Sequence, residues 1–326
     1  MTGTLVISLD FELMWGVRDH RTRADYGDAV LGVRQAIPEI LARFKASGIH
    51  ATWATVGLLF ARNREEMLAF YPDIKPNYTN PTLSPLEAIR QEIGADETAD
   101  PLHYGRSMVD LVLATPGQEV ATHTYSHYYC LEAGQDVSAF EADLQASIQI
   151  STLAGARPTS IVFPRNQMTD DYVAACARQG IKAFRGNPQG YAYRARAQGG
   201  NSQWVRGLRL LDAWLPLAGV HSYGEAAPVA GIANVKASRF LRPYSPSLGP
   251  LNGLHMRRIL GEMEHAARHG ETYHLWCHPH NFGRHTAAQL ARLDTLLAAY
   301  RRLADRFGMT SLTMAEHAEQ ALCPSP

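Results

Sequence analysis

Strands alternating with helices predict a parallel α/β sheet or barrel, and three observations carry that expectation. Continuous apolar, β-rich runs such as Thr4–Leu9 and Tyr273–Cys277 suit strands covered on both faces. Between such runs, apolar residues recur at helical spacing, as from Val33 to Phe44 before the closing Gly48. Four polar clusters, DFE, HTYSH, FPRNQ and CHPHNFG, each follow a strand directly. In a barrel those strand ends form one rim, where active sites are built.

Taken in order, Thr4–Leu9 is the first strand and ends in Asp10-Phe11-Glu12. Leu13–Leu31 has no clear period and reads as a long loop. A helix from Val33 to Phe44 follows, then a strand at Ala51–Val56 and a helical run from Gly57 to Phe70. Residues 71–104 hold five prolines and read as an excursion with at most a short helix at Leu86–Ile93. A helix at Arg106–Ala114 leads to strand Val120–Thr122, and a helix at Val137–Leu153 leads to strand Ser160–Phe163. The next pair is a helix at Asp170–Gln179 and a strand at Lys182–Gly186. Residues 186–253 are rich in Gly, Pro, Asn and Tyr, with a helix near Leu208–Leu217 and a strand-like Arg239–Arg242. The chain closes with helix Leu254–His269, strand Tyr273–Cys277, helix Thr286–Phe307, strand Ser311–Thr313 and helix Met314–Leu322. The expected organisation is one domain over 1–326, with insertions at about 71–105 and 186–253.

Composition excludes several classes. Lys+Arg and Asp+Glu balance at 31 each, and no basic run marks a nucleic-acid surface. Cys130, Cys176, Cys277 and Cys323 show no CxxC spacing and suit reduced, mostly buried thiols. No apolar run is long enough to span a bilayer, and no basic, apolar leader precedes Thr4, so a cytoplasmic setting is expected. Nucleotide loops of the GxGxxG or GxxxxGK[ST] type and a GxSxG elbow are missing.

Chemistry concentrates in the polar clusters. Asp10 and Glu12, two apart in extended backbone, point the same way, and buried carboxylates need a partner or a metal. His123 and His127 share a face if Thr124–His127 opens a helix, and two imidazoles at a strand end can hold a divalent metal. Spacing alone is weak evidence: 14 histidines give about 0.6 such pairs by chance. The chain has three, of which His265/His269 lies in a polar helical run and suits a solvated face.

The order D-x-E after strand one, H-x3-H after strand three, an Arg/Pro stretch after strand four and a histidine after a late strand resembles the NodB-homology polysaccharide deacetylases, carbohydrate esterase family four. The stretches SLDFEL, FPRNQ and HPHNFG are similar to those of a branch found in bacterial surface-polysaccharide (O-antigen) clusters. The resemblance spans nearly the whole chain. It implies a distorted (β/α)7-type barrel and a divalent metal, zinc or else cobalt or nickel. By the same resemblance His123 and His127 are ligands and Asp10 is the base. Phe11 stands where the family's usual second Asp would be, which moves the third ligand to Glu12. Arg165 is implied as the arginine orienting Asp10, and His278 as the general acid, with His280 its competitor. Asp212 is implied as the residue holding that histidine.

The implied reaction removes an N-acetyl or N-formyl group from an amino sugar, with the Tyr128 N–H aiding the oxyanion. A sugar nucleotide or lipid-linked precursor is the expected substrate. Trp15, Arg18, Tyr78, Asn166, Arg185, Tyr191, Trp204, Tyr223 and His280 are candidate sugar or phosphate contacts. Two rivals share the scaffold: an allantoinase-like hydrolase of a non-sugar amide, and a non-catalytic glycan-binding relative.

Overall fold

The computed structural model describes residues 2–200, 202–224 and 227–322. Among the described residues nine strands form one sheet: β1 (Thr4–Phe11), β2 (Ala51–Thr55), β3 (Gln118–Thr122), β4 (Ser160–Ile161), β5 (Ala183–Phe184), β6 (Ala233–Asn234), β7 (Arg239–Phe240), β8 (Thr272–Cys277) and β9 (Thr310–Leu312). The order is β6-β5-β4-β3-β2-β1-β8-β7, and the ladders are parallel. β9 pairs with β1 over Thr4–Val6, immediately before β2 takes over at Ile7. Among the described residues no ladder joins β6 to β7, so the sheet curls into a half-barrel. β6 was not anticipated: its two residues carry no apolar run to signal a strand.

β1 is central because its side chains are covered on both faces. Leu5, Val6, Ile7 and Leu9 are at most 2% exposed, which is why the run reads as uninterrupted apolar sequence. Helices Val137–Leu153, Thr286–Phe307 and Met314–Leu322 lie where their spacing predicts.

Three stretches differ. Leu13–Leu31 is a 3-10 turn (Leu13–Gly16) and an α-helix (Arg23–Leu31), not a loop. That helix has almost no amphipathic pattern; a reciprocal capping box between Thr22 and Asp25 starts it. Gly57–Phe70 divides into a 3-10 turn (Gly57–Phe60) and helix Arg64–Ala69, whose Asn63 cap accepts from the Glu66 N–H. The helix expected near Leu208–Leu217 is Gln203–Asp212, capped by Ser202. The excursion after Phe70 is pinned by Arg34, which donates to the Pro101 and Tyr104 carbonyls at 2.9 and 2.8 Å. Cys130, Cys176 and Cys277 are buried free thiols, and Cys323 lies outside the described residues.

Register sets up the site. Phe11 pairs with Thr55, and Thr55 with Thr122, so Glu12 and His123 emerge at the same level. Leu9 pairs with Cys277, which brings His278 beside Asp10. Chemistry-bearing residues far apart in sequence thus meet through strand pairing alone.

Candidate active site

Glu12, His123 and His127 converge, all buried, with ligand atoms within 4.8 Å of one another. Glu12 Oε2 lies 3.4 Å from His123 Nε2 and 3.1 Å from His127 Nε2. The His123 Nδ1–H donates to the Val162 carbonyl at 2.7 Å, which leaves the Nε2 lone pair facing Glu12. Burial holds the His127 imidazole down at about 4, so it is a neutral donor at physiological pH. One carboxylate and two imidazole nitrogens in a tight cluster fit a divalent metal such as zinc.

The histidines do not meet on a helix. Thr124 and His127 both have left-handed backbone, at φ 64 and φ 60, and the chain turns tightly between them. For a β-branched residue such as Thr124 that conformation is strained and persists only when neighbours enforce it. The enforcement is visible: the Tyr128 N–H donates to Thr124 Oγ1 at 2.7 Å, and the Thr124 N–H donates to Thr122 Oγ1 at 3.0 Å. Asp143 accepts the Tyr125 N–H, the Ser126 N–H and the Ser126 hydroxyl. Burial lifts its carboxyl to about 6 despite those three donors.

Asp143 was missed by sequence reasoning. The available signal was a lone acid on the inward face of helix Val137–Leu153, beside Phe140, Leu144 and Ser147. Asp143→Ala strands these donors and is expected to cost about 3 kcal/mol, or about 4 °C in Tm, checked by calorimetry. Asp143→Asn keeps an acceptor and is expected to lose less.

Asp10 is 3% exposed and gripped by Arg185 through two bonds, Nη1 to Oδ1 at 2.6 Å and Nη2 to Oδ2 at 2.7 Å. This corrects the expectation for Arg165, which pairs with Asp19 and lies over the Tyr129 ring. Arg185, expected as a substrate contact, is fully buried and follows β5, whence it crosses the barrel interior to the β1 end. Ser8 faces the same way as Asp10, and its Oγ accepts from Arg185 Nη1 at 3.0 Å. The Ser8 hydroxyl in turn meets His274 Nε2 at 2.8 Å. His274 Nδ1 lies 3.0 Å from the Val235 carbonyl, and burial drives that imidazole down to about 3, so it stays neutral and accepts from Ser8. Burial alone would raise the Asp10 carboxyl; the charge and hydrogen bonds of Arg185 outweigh it and hold Asp10 below the ordinary carboxylate value.

His278 Nε2 faces both acids, 3.8 Å from Asp10 Oδ2 and 3.6 Å from Glu12 Oε1, with its side chain 20% exposed. His280 stacks on it at 4.7 Å and is deeper, and burial drives its imidazole down to about 3. Glu12, His278 and His280 form a second close grouping. Its two rings differ in exposure and lack the Val162-type anchor that fixes His123. Asp212 does not hold His278: it pairs with Arg239 and Arg258 and accepts from the Tyr193 hydroxyl.

Other expected contacts are placed elsewhere. Trp15 is 1% exposed and donates to the His103 carbonyl, a packing role. Arg18 sits by Asp19, Tyr129 and Tyr71, outside the cavity lining. The Tyr128 N–H is occupied by Thr124, so it is not free for an oxyanion. Tyr78 is buried, its hydroxyl accepting from the Tyr129 N–H. Tyr191 and Trp204 are exposed, and Tyr223 bridges to Thr272. Asn166 does reach the site, accepting from Arg185 at 3.0 Å. A cavity of about 430 Å³ opens over these groups, walled by Phe240, Trp276, Arg165 and Arg242. His265 and His269 stack on each other away from it, on the helix Leu251–His269.

No family model matches the chain, and no curated protein matches it in sequence. Solved structures do. A Mycobacterium smegmatis protein provisionally described as a polysaccharide deacetylase is 14% identical, with TM-score 0.59, over 98% of this chain and 91% of that one. A Pseudomonas aeruginosa protein of similar provisional description is 11% identical, with TM-score 0.53, over 98% and 90%. The Puue allantoinase is 12% identical, with TM-score 0.53, over 99% and 91%. At these identities the likeness is one of fold: the chain has the NodB-type (β/α) half-barrel that polysaccharide deacetylases and an allantoinase share.

Proposed function

We propose that the protein is a metal-dependent amide hydrolase that removes an N-acetyl or N-formyl group from an amino sugar. The observation that carries this reading is the pairing of two buried centres. A Glu12–His123–His127 donor cluster stands beside an Asp10 held ionised by Arg185. Residues 1–326 are read as one catalytic domain. The similarity of SLDFEL, FPRNQ and HPHNFG to surface-polysaccharide relatives extends the reading to a precursor of such a polymer, met on the cytoplasmic side.

Glu12, His123 and His127 would hold a divalent ion, which when bound polarises a carbonyl and acidifies water. Asp10 takes a proton from the attacking water on Oδ2, the oxygen nearer His278. The water oxygen bonds to the acyl carbon and the C–N bond breaks. His278, the more open of the two stacked histidines, delivers a proton to the departing nitrogen, which leaves as an amine and not as an amide anion. Acetate or formate and the free amino sugar are the products. Phe240 and Trp276 supply an apolar wall beside the acids, and a drier site strengthens each charge interaction in it.

The test is acetate or formate release from N-acyl amino sugars and, in parallel, turnover of allantoin, by protein loaded with zinc, cobalt or nickel. Release from the sugars alone supports the reading. Turnover of allantoin alone moves it to the ureide hydrolases, and metal binding without any turnover moves it to a binding protein.

A further inference from the structure

The arginines of the 186–253 insertion and the apolar surface beside them meet on one side of the molecule. A second cavity of about 230 Å³ is lined by six arginines, Arg165, Arg194, Arg196, Arg209, Arg239 and Arg242, and by no carboxylate. It shares Arg165, Asn166, Phe240, Arg242 and Trp276 with the cavity over Asp10 and Glu12, so the two are neighbours. Arg239 is neutralised by Glu262, which accepts from its Nε and Nη2 at 2.7 Å each. Arg242 differs. It is partly buried, and among the described residues its guanidinium donates to no acceptor; the Trp214 ring lies 5.9 Å away. A sheltered cation without a counter-charge is costly unless a ligand supplies one.

The helix Gln203–Asp212 forms part of this cavity and carries two faces. Val205, Arg209 and Asp212 turn inward, with Arg209 lining the cavity. Trp204, Leu208 and Leu211, at i, i+4 and i+7, turn outward and are 84%, 42% and 48% exposed. Leu215, Leu217 and Val220, just past the helix in the chain, are each about half exposed as well. Of the thirteen exposed large hydrophobic side chains among the described residues, eight fall within 191–220. That span holds four arginines and one acid, the buried and paired Asp212. Concentrated exposed apolar side chains mark an interaction surface. An amphipathic helix with tryptophan and leucine outward and arginine on its flank suits an anionic bilayer surface.

We propose that this face seats the protein on an anionic membrane surface, and that the arginine-lined cavity beside it takes the phosphate of a lipid-linked amino sugar whose acyl group reaches Asp10 and the Glu12 cluster. The proposal rests on the deacylase reading for its substrate. The membrane contact stands on the surface alone.

Two measurements test it on the full chain. The first is co-sedimentation with phosphatidylcholine vesicles, with and without about 30% phosphatidylglycerol. Wild type is expected to pellet with the anionic vesicles and to be released by salt. Leu208→Glu/Leu211→Glu, whose changes sit on exposed positions, is expected to bind at least ~10-fold less with an unchanged circular dichroism spectrum. Wild type remaining in solution with both vesicle types overturns the membrane contact.

The second compares kcat/KM for N-acetylglucosamine linked to a long-chain lipid diphosphate in vesicles with that for its soluble nucleotide diphosphate. A preference of at least ~10-fold for the lipid form, collapsing in the double variant, supports the proposal; equal turnover overturns it. Inorganic pyrophosphate is expected to inhibit competitively, with its inhibition constant raised ~10-fold in Arg242→Gln; no inhibition overturns the phosphate subsite. If vesicles bind but no N-acyl sugar is hydrolysed, the deacylase reading fails and the membrane surface stands.

Discussion

Glu12→Ala is expected to purify without metal, while Asp10→Asn keeps it and still loses hydrolysis by about 10²- to 10⁴-fold. The split follows from position. Glu12 Oε2 contacts both imidazoles of the donor cluster, so in the proposed site its loss removes a ligand outright. Asp10 is turned to Arg185 and His278 instead, so its amide leaves the ligands in place and removes only a proton acceptor. Glu12→Ala should fall at least as far in rate as Asp10→Asn, because it loses the ion as well. Elemental analysis of the purified proteins beside acetate release reads both halves. Should Asp10→Asn lose the metal and Glu12→Ala retain it, the two roles are exchanged.

Arg185→Met is expected to destabilise the fold by about 3–5 kcal/mol, because breaking a buried pair leaves the other charge uncompensated. Arg185 is fully buried, and Asp10 is nearly so. The pH dependence has a definite sign. Burial would raise the Asp10 carboxyl, but the Arg185 charge and hydrogen bonds, helped by His123 and His278, place it below its ordinary value in the folded protein. A depressed folded value means that the contribution is fully present above the unfolded carboxylate value, near ~4, and lost as pH falls through the folded one. Wild type should therefore keep this stability across neutral pH and surrender it only in acid. Arg185→Met should lack it at pH 7 already, with the acid limb of its rate profile moved upward. Asp10→Asn/Arg185→Met should recover part of the loss, since the stranded charge is gone. Denaturant unfolding at pH 7 and at steps well below ~4 reads the difference.

How much of this was legible in the sequence depends on what each feature rests on. β1 and β8 were plain, because strands buried on both faces write themselves as unbroken apolar runs. The long helices were plain because their apolar spacing is sustained over many turns. The helix Arg23–Leu31 was not, since its start is fixed by one capping box and its faces barely differ. His123 and His127 do come together, but not as their spacing implies: two left-handed residues and Asp143, not a helical turn, bring them together. The arginine was misplaced because motif order names the loop after β4, whereas the residue that reaches Asp10 crosses from β5 through the barrel interior. Which side chain spans an interior is a property of strand pairing, and sequence order does not contain it.

The half-open sheet has a consequence for how such a protein can change over time. The groups proposed for chemistry are set by the shared register of β1, β2, β3 and β8. The apolar helix and most of the arginine cavity's lining lie on the chain between β5 and β8, where among the described residues no ladder closes the sheet from β6 to β7. Within that segment β6 pairs with β5 and β7 with β8, but the helix Gln203–Asp212 joins no ladder, so rewriting the helix leaves the paired strands that aim Asp10, Glu12, His123 and His278 in place. The proposed membrane-facing helix and the proposed reacting groups thus stand on different elements of one chain, and selection can retune the one for a new substrate carrier without dismantling the other.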